Sequence, residues 1–262
     1  MIGSILGYIA SALRDPELDQ LPQLNTEQLK SLLCSNTILE MFAAADTFLF
    51  ATPIMQTREQ WLSYSETPLQ STAHRDGNVV RGIPVALFSH AGSPFFGMTY
   101  QPEIREIEPG QNARDAIATH QAIYWARTGC SKIAIQSQLE EYFQYDMQIS
   151  FTEQPKPIHQ KIRKGCVPDA LDCALEALSF RESIHNALSI SQEEHNATLS
   201  VITGALAESR FGVPRQLSEC LAKNLPEKMS VLLRQLYLSG QSTYSEINKK
   251  PAISPINTCF EF

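Results

Sequence analysis

The densest knot of polar groups in the chain is Glu193-Glu194-His195-Asn196, and it stands directly ahead of a stretch of small and apolar residues beginning at Thr198. That stretch reads as a helix that closes at Gly212, with Pro214 just beyond. The entrance of a helix presents free N–H groups and partial positive charge, so it is a natural seat for anions or for carboxylates that ligate a metal. The same residues also suit a plain, well-capped helix start. His120 is a second candidate. It lies among Ala116, Ile117, Ala118 and Ile123 at helical spacing, where a lone histidine reads more readily as a satisfied core or surface residue than as a ligand. None of the six histidines stands at metal-ligand spacing from another His or Cys. GxSxG, P-loop, HExxH and GxGxxG signatures are absent, which removes the generic serine hydrolase, NTPase, zincin and dinucleotide readings.

The elements that must position such groups are helical. Leu29, Leu32, Leu33, Ile38, Leu39, Phe42 and Ala43 recur with the helical rhythm, as do Val167, Leu171, Ala174, Leu175 and Leu178. Core helices are expected over Ser4–Leu13, Val167–Leu178 and Thr198–Arg210. Ser179-Phe180-Arg181-Glu182 resembles a capping box that opens a further helix through Ile184, Ala187 and Leu188. Leu221 to Leu238 supplies a late helix after Asn224-Leu225-Pro226. Asp146 to Phe151 is the best strand candidate and a short one. The expectation is a single all-α domain over residues 1–240, followed by a polar C-terminal tail over 241–262.

Composition narrows the partners. The 262 residues carry a net charge of −7, with 43% hydrophobic and 19% charged residues, as in a folded protein. No basic block exceeds Lys161-Ile162-Arg163-Lys164, so nucleic acid is not an expected partner. The apolar start, Met1 to Leu13, lacks a basic n-region and is shorter than the roughly 20 residues a membrane span needs, so it reads as a buried first helix and no membrane is expected. Six scattered cysteines without a CxxC pair read as reduced, mostly buried thiols of a cytoplasmic protein.

Five segments in order resemble the ADP-ribosylglycohydrolase family, which includes the enzyme that reactivates ADP-ribosylated dinitrogenase reductase. Gly3 to Leu13 (GSILGYIASAL) is similar to the family's GxLLGxxxGDALG opening, and Asp76 to Phe88 (DGNVVRGIPVALF) to NGxxMRxxPLxLF. Thr119-His120 matches a helical Thr-His pair. Gly165 to Leu171 with Ser179 to Ile184 matches GxVxDALxxAL and SFEEAI. Glu193 to Pro214 runs without a gap along GGDxDTxAAIxGALAGAxxGxP. The resemblance spans roughly residues 1–240 and implies a compact all-α domain whose central cleft holds two magnesium or manganese ions on carboxylates from three motifs.

Laid on this chain, the resemblance implies that those carboxylates are gone. The aspartates of the last motif fall on His195 and Ala197, leaving Thr198 unchanged; those of an early TDDT motif fall on Ser35 and Asn36; the Gly-Asp of the first helix falls on Ser11-Ala12. Glu193 and Glu194 occupy the double-glycine positions. Two close dications need several carboxylates, so no metal or other cofactor is expected, and the remnant cleft would be lined by Ser35, Asn36, Asp76, Gly77, Arg81, His120, Glu194, His195 and Thr198. Arg81 suits either a structural pairing or ligand contact. The implied function is that of a catalytically inactive pseudoenzyme binding an ADP-ribose-like small molecule or a protein partner. The alternative is an active hydrolase of an N- or O-glycosidic bond to ADP-ribose, with Glu193, Glu194, His195 or Asp76 in altered roles.

Overall fold

The computed structural model describes residues 1–15, 18–50, 56, 59–61, 63, 77–88, 111–145, 166–190 and 196–248. Among them there is no strand. The helices are α1 (Ile2–Leu13), α2 (Thr26–Leu33), α3 (Asn36–Phe50), α4 (Gly77–Phe88), α5 (Gln111–Arg127), α6 (Lys132–Phe143), α7 (Cys166–Glu176), α8 (Phe180–Ile190), α9 (Asn196–Phe211), α10 (Arg215–Asn224) and α11 (Glu227–Asn248), with a short 3-10 turn at Leu21–Gln23. The protein is an all-α single domain, and its buried apolar residues form one cluster from Met1 to Leu236.

The helix α9 is the axis of that core. Every residue from Leu199 to Glu208 is buried, as expected of a helix whose side chains are small or apolar on all faces. Around it pack α1, α4, α5, α7 and α8; α3 and α11 lie against α4, and α6 lies against α5. The closest approach is to α1. A Cβ on Gly204 would stand 2.1 Å from the carbonyl oxygen of Gly3, and one on Gly3 would stand 2.3 Å from that of Gly204. One turn along, a Cβ on Gly7 would stand 2.1 Å from the Ser200 oxygen. Backbone meets backbone here, so no side chain fits. The expectation that Gly204 marks a close helix crossing therefore holds.

A test follows from the contrast with Gly82, whose Cβ would meet nothing within 4 Å in the body of α4. Gly204→Leu will destabilise the fold by about 1–3 kcal/mol through overpacking. Gly82→Ala will stabilise it by about 0.5–1 kcal/mol through helix propensity. Thermal melts of the two variants must move in opposite directions; an unchanged melting temperature for Gly204→Leu would show the crossing to be looser than drawn.

Charged side chains fasten the helix ends. Glu208 of α9 accepts hydrogen bonds at Oε2 from the Met1 amine at 2.5 Å and from the Gly3 N–H at 2.8 Å, and at Oε1 from the Tyr237 hydroxyl of α11. A carboxylate thus sits at the N-terminal end of α1, where free N–H groups and partial positive charge favour it. At the opposite polarity, Arg210 donates to the carbonyls of Ala174 and Leu175 at the end of α7, at 2.5 and 2.9 Å. Arg127 donates likewise to Leu87 at the end of α4. Trp61 is buried, stacks on Phe42 with ring centroids 5.2 Å apart, and donates to Asp46 at 2.7 Å; the Lys228 ammonium of α11 lies 4.3 Å from its ring centroid.

Several boundaries differ from the sequence reading. The α7 helix ends at Glu176 rather than Leu178, because Ser179 caps the next helix: its Oγ accepts from the Glu182 N–H at 3.1 Å, and the Glu182 carboxylate reaches back to the Leu178 N–H at 2.8 Å. Leu178 is left 85% exposed between the two helices. The late helix does follow Asn224-Leu225-Pro226, since α11 starts at Glu227; Leu221 belongs instead to the preceding α10, which ends before the extended Leu225. The α11 helix continues to Asn248, past the point where a tail was expected, because its residues are polar without being helix breakers. Gly212 does close α9, at φ +70. Cys173 is buried, whereas Cys34, Cys130 and Cys220 are half-buried. The strand candidate at 146–151 lies outside the described residues. Among those described, no single helix is long and apolar enough to cross a membrane; α2 and α3 reach that composition only together, across a 73° bend.

Candidate functional site

Four helix segments carry the described candidate residues. The first is the junction of α2 and α3. Here Ser35 has its Oγ 3.4 Å from the Ile38 N–H, which it accepts, so the residue serves as an N-cap. Asn36 is the first residue of α3. Cys34, Ser35, Asn36 and Thr37 are all half-buried.

The second segment is α4, opened by Gly77, which packs on α3. Arg81 places its Nε 3.8 Å from Glu40 Oε2. Glu40 lies one helical turn beyond Asn36, on the same face of α3, so this ion pair ties Arg81 to the helix that Asn36 begins. Glu40 is a carboxylate partner of the kind that the structural reading of Arg81 expects. The Arg81 side chain is 35% exposed, and such partly solvated pairs contribute little to stability.

The third segment is α5, which packs on α4, α6, α7 and α9. His120 is buried, and neither Nδ1 nor Nε2 has a hydrogen-bond partner among the described residues. Among those residues Thr119 Oγ1 and both ends of the Gln121 amide are buried without a partner as well, and so are the hydroxyls of Ser4 in α1 and Ser200 in α9. Burial, with a smaller contribution from the Arg127 guanidinium, lowers the His120 pKa to about 4. The ring is neutral at pH 7 and offers one donor and one acceptor nitrogen.

The fourth segment is the meeting of α1 with the start of α9. Gly3 lies against Gly204 and Gly7 against Ser200, so the two helices run antiparallel in a register that advances four residues on each. The next step carries Ser11 of α1 to the level of Asn196, at the entrance of α9. Ala197 and Thr198 are half-buried there, as is Ser11, while Ala12 is exposed. Asp76, Glu193, Glu194 and His195 lie outside the described residues.

Among the described residues, no group of three His, Cys, Asp or Glu side chains is placed to hold a metal ion. What the described positions supply is hydroxyl, amide and neutral imidazole, together with one guanidinium already paired. That chemistry suits hydrogen-bonded recognition. The sequence reading missed the best-satisfied polar cluster in the molecule, Met1–Glu208–Tyr237. Its one local signal is a glutamate set one turn after Gly204 in an otherwise apolar stretch. Lys132 and Gln136 of α6, which share Glu176 of α7 at 2.6 and 3.2 Å, carried no signal at all.

No protein-family model, curated protein or solved structure matches this chain.

Proposed function

We propose that this chain is an ADP-ribosylglycohydrolase-like pseudoenzyme: it has lost metal-dependent hydrolysis and acts by binding, with an ADP-ribose-like small molecule or a protein partner as the occupant of the remnant cleft. The observation that carries the reading is the antiparallel register of α1 and α9. It brings Ser11, which replaces one residue of the first motif, to the same level as the entrance of α9, where Ala197 replaces an aspartate of the last. Two segments that the resemblance assigns to one cleft thus lie side by side; the aspartate position of the first motif is Ala12, next to Ser11, and that of the last is Ala197. Ser35 adds to this, since its hydroxyl is spent on capping α3. Six scattered cysteines without a CxxC pair fit a reducing, cytoplasmic setting.

Calorimetry and thermal-shift measurements with magnesium, manganese and ADP-ribose test the proposal. The expected result is no metal binding and a melting temperature raised by ADP-ribose, since any ligand that prefers the folded state stabilises it. Two ions bound per chain, or turnover of an ADP-ribosylated substrate, would replace the pseudoenzyme with an active hydrolase. His195→Asp alone is expected to leave metal binding absent, because one carboxylate cannot hold a dinuclear site. Ser35, Asn36, His195 and Ala197 all changed to Asp should restore measurable magnesium or manganese binding. A quadruple variant that folds and still binds no metal counts against the assignment of these positions.

A further inference from the structure

We draw no further inference here: the strongest candidate, the turn of α5 on which the buried Thr119, His120 and Gln121 side chains meet no hydrogen-bond partner among the described residues, belongs to the candidate site already described, and nothing in the structure shows what would complete its hydrogen bonds.

Discussion

Replacing Glu208 by alanine will lower the stability of the fold by about 3–5 kcal/mol, the range found when one partner of a buried ion pair is removed. The Met1 amine is fully buried, and Glu208 is its counter-charge at 2.5 Å. The same carboxylate accepts from the buried Gly3 N–H and the partly buried Tyr237 hydroxyl, so the substitution also strands the Gly3 donor. Glu208→Gln keeps an acceptor in place and should recover part of the loss. The deficit will depend on pH in a defined direction. Burial already lowers the amine pKa from its ordinary 8.0, against the opposing pull of Glu208. Without Glu208 the folded state favours the neutral amine still more, while the unfolded amine stays protonated below pH 8.0. Below that value the unfolded chain therefore binds the extra proton, and the stability of the variant rises as the pH approaches 8. Urea unfolding of parent and variants at several pH values decides the matter. A Glu208→Ala variant within about 1 kcal/mol of the parent at pH 7 would mean that the cluster contributes far less than a buried ion pair should.

Acidification from pH 7 to about 4 will cost about 3 kcal/mol through His120 alone, at about 1.4 kcal/mol for each unit between its ordinary pKa of 6.5 and its folded value of about 4. The sign follows from proton binding. Between those two values the unfolded imidazole takes up a proton that the buried one refuses, so stability rises with pH across the window and is flat, as far as this group is concerned, above 6.5. Carboxylates titrate at the lower end of the same range, so the informative quantity is the difference between the parent and His120→Leu. The leucine variant should lose the slope between pH 5 and 6.5. At pH 7 it should be no less stable than the parent by more than about 1 kcal/mol, because it removes from the core two buried nitrogens that lack a partner among the described residues. Equal slopes in both proteins over that window would show that His120 is not held neutral by burial.

The sequence by itself determined the helices whose signals lie within a turn or two of chain. The small and apolar stretch from Thr198 to Ala207 has no polar face to show to water, and α9 became the buried axis for that reason. Gly212 stops α9 and Ser179 starts α8, because a left-handed C-terminal residue and an N-cap hydroxyl act on the backbone immediately beside them. The same local logic overran at Leu178, where apolar spacing continued but the cap of the next helix had already claimed the backbone. It fell short after Gly240, where polarity was read as a tail although nothing there breaks a helix. Gly204 was legible as a place of close approach, yet its counterpart at Gly3, some 200 residues earlier, was settled only when α1 packed against α9. Tertiary structure alone decided that Glu208 would hold the start of α1, that Arg81 would pair with Glu40, and that Arg127 and Arg210 would close the ends of other helices. It also decided that His120 would be buried without a hydrogen-bond partner among the described residues. Periodicity and capping are written in residues within four positions of one another, whereas an ion pair or an unmet hydrogen bond depends on which helix the packing brings alongside.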